Sequence, residues 1–196
     1  MELFEAIATR RSTRRFKPER LPRESLERIV EAGRLAPSGG NSQTTRFIVI
    51  EDRAVLDDLA RLAQSEFAAM EAGPDTYRSL RNSIEAAKKG GYVFHYNAPA
   101  LIVTANKKGY GNALADCACA LENMMLAANA LDLGSCWINQ LRWLTDHEPI
   151  EEYMRSLGMG EDEQVCGALA VGFSASADGM PVRAPLAHPG NPVVWR

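Results

Sequence analysis

The sequence predicts an α+β domain in which helices alternate with a few short strands. Apolar residues recur at helical spacing in several segments, and three short apolar runs have the composition of strands. The chain carries no internal repeat and no low-complexity stretch. With 196 residues, 46% of them hydrophobic, the chain can bury a substantial core, so a single domain over residues 1–196 is expected.

Helical spacing is clearest in residues 22–35. Leu26 and Ile29 fall on the same face of this segment, as expected for a helix that buries one side. Pro22 suits the first helical turn because its missing N–H is not needed there, and Pro37 helps to end the helix.

Residues 112–133 are apolar on almost every side. This pattern predicts a central helix that is buried against the sheet or against a partner chain, with Gly134 as its C-terminal cap. Further helices are predicted over residues 2–9, 53–70 and 149–157.

Three strands are predicted, over residues 47–50, 100–105 and 165–172. Residues 73–97 mix charges, glycines and aromatic side chains, which favours a mobile helical excursion or a lid. Residues 174–196 form a tail rich in proline and glycine that lacks a core of its own. Because the tail ends in Val193, Val194 and Trp195, we expect it to pack on a distant part of the chain or on another subunit.

Composition excludes several classes of protein. A net charge of -3 gives no general attraction to nucleic acid or to anionic membranes, so an anion site must come from local clustering. No run of about twenty apolar residues is present, and the N-terminus does not resemble a signal peptide. A cytoplasmic protein without a membrane segment is expected.

Cysteine and histidine spacing does not predict a metal site. The four cysteines lie in apolar segments without zinc-site spacing, so they are interpreted as buried, reduced thiols. The three histidines are far apart in sequence, and surface or loop roles are expected for them. The residues concerned are Cys117, Cys119, Cys136, Cys166, His95, His147 and His188.

A cluster of arginines follows the first predicted helix. Arg10, Arg11, Arg14 and Arg15 lie within six residues, together with the hydroxyls of Ser12 and Thr13. Guanidinium groups match the geometry of phosphate oxygens, and hydroxyls add neutral hydrogen bonds, so a phosphate is the natural ligand. A solvated basic face or a nucleic-acid patch also explains such a run.

A second polar motif, residues 36–43, connects a predicted helix to a predicted strand. Pro37, Ser38, Gly39 and Asn41 offer small side chains and amide or hydroxyl groups, as the polar edge of a flat ligand requires. An ordinary connecting loop is the alternative. The chain has neither a GxxxxGK[ST] phosphate loop nor a GxGxxG motif after a strand, so a nucleoside triphosphate or a Rossmann-bound dinucleotide is not expected.

The arginine run and the 36–43 motif together resemble the nitroreductase family over nearly the whole chain. The resemblance implies a mostly antiparallel central sheet flanked by helices, and a homodimer that exchanges a C-terminal arm, here residues 174–196. It implies FMN as cofactor, with Pro37, Ser38, Gly39 and Asn41 reaching the flavin of the other subunit. The remaining positions implied at the flavin are Arg10, Arg11, Ser12, Arg14 and Arg183 near its phosphate and ribityl chain, and Cys136, Trp137, Ile138 and Asn139 along its ring, mainly through main-chain atoms.

The resemblance also implies an activity. Hydride would pass in a ping-pong cycle from NAD(P)H through the flavin N5 to an electron-poor small molecule, such as a nitroaromatic or a quinone, without a catalytic side chain. Related enzymes on this scaffold carry out dehalogenation, flavin-ring cleavage or dehydrogenation, and a non-catalytic flavin-binding protein is a further alternative. Two departures stand out: Thr44 and Thr45 replace a common Pro-Trp pair, and only His95 and Asn97 lie where the family often has asparagine and lysine.

Overall fold

The computed structural model describes residues 1–184 and 190–196 and contains a four-stranded sheet. The strand order in space is β1-β2-β4-β3, and each neighbouring pair is antiparallel. The strands are β1 (Arg46–Ile50), β2 (Ala100–Lys107), β3 (Gly134–Ile138) and β4 (Glu163–Gly172). The predicted α+β architecture with an antiparallel sheet is confirmed.

Helices cover both faces of this sheet. Within the described residues they are α1 (Leu3–Thr9), α2 (Arg23–Arg34), α3 (Arg53–Ala69), α4 (Arg78–Lys89), α5 (Ala113–Ala130), α6 (Gln140–Trp143) and α7 (Glu148–Ser156). One core lies between the sheet and α2 and α5, and the other lies between the sheet and α3, α4, α6 and α7. The central strands β2 and β4 are therefore buried on both sides: Ile102 packs into the α5 core and its neighbour Val103 into the α3 core.

The end of α5 differs from the prediction that Gly134 caps it. Asp132 adopts the left-handed conformation there, with φ of 62°, and the N–H of Leu133 bonds back to Ala128 O at 2.9 Å. This is the hydrogen-bond pattern of a Schellman cap, which a short polar residue can support in place of glycine. Gly134 instead begins β3. A Cβ atom at this glycine would lie 2.7 Å from Thr13 side-chain atoms, so close packing explains its small size.

The segment over residues 73–97 contains α4 and a buried turn. Ile84 and Phe94 belong to the α3-side core, and α4 packs against α3. His95 lies in this turn, so its expected loop position holds, but its side chain is fully buried and does not lie at the surface. His147 is partly exposed beside Glu66, whereas His188 lies outside the described residues.

Three of the four cysteines are buried free thiols as predicted, but Cys119 is exposed on α5. The last residues of the tail are also exposed, with 89% of Trp195 accessible. Among the described residues, no helix is long and apolar enough to cross a membrane.

Candidate functional site

The segment that follows α1 pairs with the free edge of β3. Ser12 forms a parallel bridge with Ser135, and the N–H of Thr13 donates to Ser135 O at 2.8 Å. Further along, Phe16 bridges Ser174 beyond the end of β4. These main-chain bonds place the arginine run directly beside the start of β3, next to Cys136.

The arginine side chains differ in how far the protein already uses their donors. Arg14 is exposed and its Cζ lies 5.9 Å from the centre of the Tyr96 ring, within the range of a cation–π contact. Arg10 is 3.7 Å from Glu122, a long and partly exposed ion pair. Arg11 donates to the main-chain oxygens of Ala8, Arg10 and Ala184, yet its Nη2 atom is buried without a partner among the described residues.

A pocket of about 550 Å³ opens at this point. Its lining comes from the arginine run, Tyr96 and the start of the tail: Arg11, Ser12, Thr13, Arg14, Arg15, Tyr96, Ser174, Ala175, Ser176 and Val182. Three segments that are distant in sequence thus meet at one basic concavity.

Cys136, the first residue of the predicted 136–139 stretch, lies next to the arginine run. Burial raises the pKa of the Cys136 thiol, while the positive charge of Arg14 and a hydrogen bond from Ser12 act in the opposite direction. The thiol is therefore both close to the predicted phosphate-binding residues and neutral at physiological pH. Ile138 is buried in the core, and Trp137 donates through Nε1 to Asn139 Oδ1 at 2.8 Å.

Arg183 is held at the C-terminal end of α5. Its guanidinium donates to Asn129 O at 2.6 Å and pairs with Asp132 at 2.7 Å. The carbonyl of the next residue, Ala184, accepts from Arg11, so Arg183 lies near the arginine run as its sequence assignment requires. Its donors are nevertheless engaged by the protein, and phosphate binding by Arg183 stays a prediction.

The 36–43 motif lies elsewhere, at the N-terminal end of α5. The N–H of Gly39 donates to Asp116 Oδ1 at 3.0 Å, and Tyr110 donates to Gly39 O at 3.1 Å. Pro37 and Asn41 are exposed, and the N–H of Gln43 donates to Ser38 Oγ at 3.1 Å. The motif is therefore a folded loop that is fixed to α5.

Helix α5 separates the two motifs in distance and in direction. Asn129, which binds Thr9 and Ala6 just before the arginine run, is 13 residues beyond Asp116, or about 20 Å along the axis. At 100° per residue, Asn129 and Glu122 project from α5 about 120–140° away from Asp116. Of the predicted positions, the structure brings together Arg10, Arg11, Ser12, Arg14, Cys136 and Arg183, and it leaves Pro37, Ser38, Gly39 and Asn41 apart from them.

The sequence assigned no site role to three residues that organise the site: Tyr96, Asp116 and Ser135. Asp116 carried a usable signal in the sequence, because it is a lone acidic residue on the otherwise apolar first half of α5. In the structure it is 5% exposed. Tyr96 and Ser135 carried none, because their roles depend on contacts with Arg14 and Ser12 that are distant in sequence.

Comparison with known proteins identifies the family of the chain. The nitroreductase family model matches residues 7–173. A solved nitroreductase with bound FMN from Bacteroides fragilis is 34% identical and covers 100% of both chains, with a TM-score of 0.86. A second, from Desulfitobacterium hafniense, also with bound FMN, is 26% identical over 97% of this chain and 95% of its own, with a TM-score of 0.78.

A curated relative extends the comparison to sequence alone. A protein of Archaeoglobus fulgidus, provisionally named NADH dehydrogenase/NAD(P)H nitroreductase, is 29% identical over 180 residues, which are 88% of this chain and 85% of the relative. The family model, the full-length structural match and the curated relative agree, and the chain belongs to the nitroreductase family.

Proposed function

We propose that this chain is an FMN-dependent oxidoreductase that uses NAD(P)H to reduce an electron-poor small molecule. Family membership and the FMN-bound relatives support the cofactor, and the name of the Archaeoglobus relative supports the electron donor. Nitroaromatics and quinones are the acceptors we propose.

The observation that carries the proposal is the buried Arg11 Nη2 atom beside the basic pocket. A buried donor that lacks a partner costs about 1–3 kcal/mol, and an anion would satisfy it. Ser12 and Arg14 are exposed at the same pocket and offer a hydroxyl and a forked cation. A phosphate with a polyhydroxyl chain, as in FMN, fits this set of donors.

The protein would hold and orient the flavin. The flavin would supply the redox chemistry, which is hydride transfer at N5 from NAD(P)H to the electron-poor acceptor. Arg10 and Arg14 would neutralise the phosphate, with Arg11, Ser12 and Arg183 near it. The main chain of residues 136–139, fixed by the pairing of β3 with β4, would lie along the ring.

The pocket would be completed by a second copy of the chain. Because α5 separates the loop from the arginine run in each protomer, Pro37, Ser38, Gly39 and Asn41 would contact the flavin bound by the partner subunit. Exposed apolar side chains are available for a contact between subunits: Phe4 is 83% exposed on α1, and Trp195 is exposed at the end of the tail. We propose a homodimer in which the far end of the 174–196 arm packs on the neighbouring subunit, because its start is held by its own chain through Ser174 and Arg183; residues 185–189 of this arm lie outside the described residues.

An absorption spectrum tests cofactor and reaction together. Protein purified and then incubated with excess FMN should retain a flavin band after gel filtration, and anaerobic NAD(P)H should bleach it. Well-folded protein that takes up no FMN would contradict the proposal. A band that persists with both NADH and NADPH would identify a non-catalytic flavin-binding protein instead.

Substitution of the site arginines tests where FMN binds. Arg14→Ala should weaken FMN binding by about 10- to 100-fold, the effect of losing one charge-assisted hydrogen bond. Arg28→Ala is the matched control, because Arg28 is an exposed arginine on α2 outside the pocket, and it should leave the dissociation constant unchanged. Equal effects of the two substitutions would place the flavin elsewhere.

A further inference from the structure

We propose that Asp116 and Tyr110 are positioning residues that preset the 36–43 loop and, through it, the flavin environment of the partner subunit. The inference rests on the proposed function, because it requires that this loop complete the neighbouring pocket. It assigns a role to a buried carboxylate that lies on the side of α5 away from the arginine run.

The two side chains form a closed network with the loop. Asp116 accepts the Gly39 N–H through Oδ1, and its Oδ2 lies 3.1 Å from Tyr110 Oη and 3.4 Å from Ser42 Oγ. Tyr110 Oη is also 3.1 Å from Gly39 O and 3.1 Å from Ser42 Oγ. The Gly39 N–H is thus bound by Asp116, and the single Tyr110 hydroxyl proton lies between Gly39 O and Asp116 Oδ2, so the network fixes the position and the orientation of the loop.

The loop needs such external support because its backbone is unusual. Gly40, Asn41 and Gln43 have φ angles of 58°, 55° and 50°. This left-handed conformation is unfavourable for most residues other than glycine. Gly39 approaches the network so closely that a Cβ atom there would lie 2.8 Å from Tyr110 Oη. The loop residues can therefore adopt this left-handed backbone conformation, and the hydrogen bonds of Asp116 and Tyr110 stabilise it.

The selected shape has a chemical consequence at Asn41. Gln43 Nε2 donates to Asn41 Oδ1 at 3.0 Å, which leaves the Nδ2 donors of this exposed side chain for an external acceptor. A fixed donor near the electron-rich edge of a flavin stabilises its reduced, more negative form. Loss of the network should therefore change both FMN affinity and the spectrum of bound FMN.

A purely structural role of Asp116 would rest on its negative charge. Asp116 is an acidic residue in the first turn of α5, where a negative charge stabilises a helix through its dipole. Asp116→Asn removes this charge but keeps an oxygen for the Gly39 N–H and a donor for Tyr110. Asp116→Ala removes both, and Tyr110→Phe removes one hydroxyl without altering α5.

The experiment measures FMN dissociation constants by fluorescence titration, together with visible circular dichroism of the bound flavin, on full-length dimers. Asp116→Ala and Tyr110→Phe should each raise the dissociation constant about 10-fold or more and change the dichroism, whereas Asp116→Asn should stay close to the unsubstituted protein. Glu163→Ala is the matched control, since it removes another buried carboxylate that does not touch the loop. Its FMN affinity should not change.

Mixed dimers test the proposed action across the interface. A dimer of one Arg14→Ala chain and one Asp116→Ala chain should regain one site of normal affinity, because one pocket receives both unaltered halves. Failure to regain that site, or normal affinity and dichroism in both Asp116→Ala and Tyr110→Phe, overturns the inference while FMN binding by the unsubstituted protein still supports the proposed function. If the unsubstituted protein binds no FMN, both fail.

Discussion

His95 should make the protein sensitive to acid. Its side chain is completely buried, and neither ring nitrogen has a hydrogen-bond partner among the described residues. Burial lowers its pKa from 6.5 to about 4, and the nearby charge of Arg53 adds to the effect. The ring is also packed edge-on against Phe94, with 5.2 Å between centroids, so it cannot reach water without a rearrangement of the turn.

The size and the sign of the effect follow from the two pKa values. An unfolded chain takes up a proton at His95 near pH 6.5, whereas the folded protein takes it up only near pH 4. The free energy of unfolding therefore decreases as the pH falls through this window. A difference of 2.5 pKa units corresponds to a loss of about 3 kcal/mol by pH 4, and the loss is absent above pH 7.

His95→Leu isolates this contribution. We expect the variant to be at least as stable as the unsubstituted protein at pH 7, because it removes two unpaired polar atoms from the core. Urea unfolding from pH 7 to pH 4 should show the difference between the two proteins growing by about 3 kcal/mol in favour of the variant. Other titrating groups cancel in this comparison.

Phe94→Leu is the control, because it alters packing in the same turn without adding or removing a titrating group. Its difference from the unsubstituted protein should be constant over the same pH range. The reasoning is refuted if the difference for His95→Leu is also constant, since the folded and unfolded states would then bind the same number of protons at this site.

Three further substitutions test the packing and hydrogen bonds that hold the fold and its tail. Gly167→Ala should lower the free energy of unfolding by about 1–3 kcal/mol, because the added Cβ would lie 2.8 Å from Leu121 Cδ1. Urea unfolding should show a smaller loss when Leu121→Ala is also present. Losses that simply add would contradict the steric explanation. Glu163→Ala should lower the unfolding free energy by about 1–3 kcal/mol, because the buried carboxylate binds Arg46 and a main-chain N–H; no change on urea unfolding would contradict this. Arg183→Ala should speed proteolysis of the tail, measured by mass spectrometry, because it removes the bonds that tie this segment to α5; an unchanged cleavage rate would mean that other contacts hold the tail.

Much of the fold could be predicted because its signals are local. The apolar spacing of α2, α3 and α5 and the composition of β1, β2 and β4 are visible within windows of a few residues. Strand β3 was missed because Gly134 and Ser135 have low strand propensity, and its conformation depends on pairing with β4 and with Ser12. Helix α6 spans four residues, which is too short for a periodic pattern.

The chemistry of the site could be predicted better than the use of each side chain. Four arginines near the N-terminus indicate an anion site, but the sequence does not reveal that Arg11 donates to three main-chain carbonyls or that Arg183 donates to Asn129 and Asp132. Those partners come from the end of α1, the tail and the end of α5. These hydrogen bonds form only when the chain folds. A sequence motif therefore identifies the candidate binding residues but does not show which of them are free to bind an anion.

The geometry of α5 connects the fold to the proposed function. Its inner face holds the α2-side core, its C-terminal half supports the arginine run through Glu122 and Asn129, and its N-terminal half supports the loop through Asp116. A rigid helix of 18 residues keeps these two supports at a fixed distance and angle. Since neither support can approach the other within one chain, a second copy of the same helix is the simplest way to bring a loop to an arginine run, which is the physical argument for the proposed dimer.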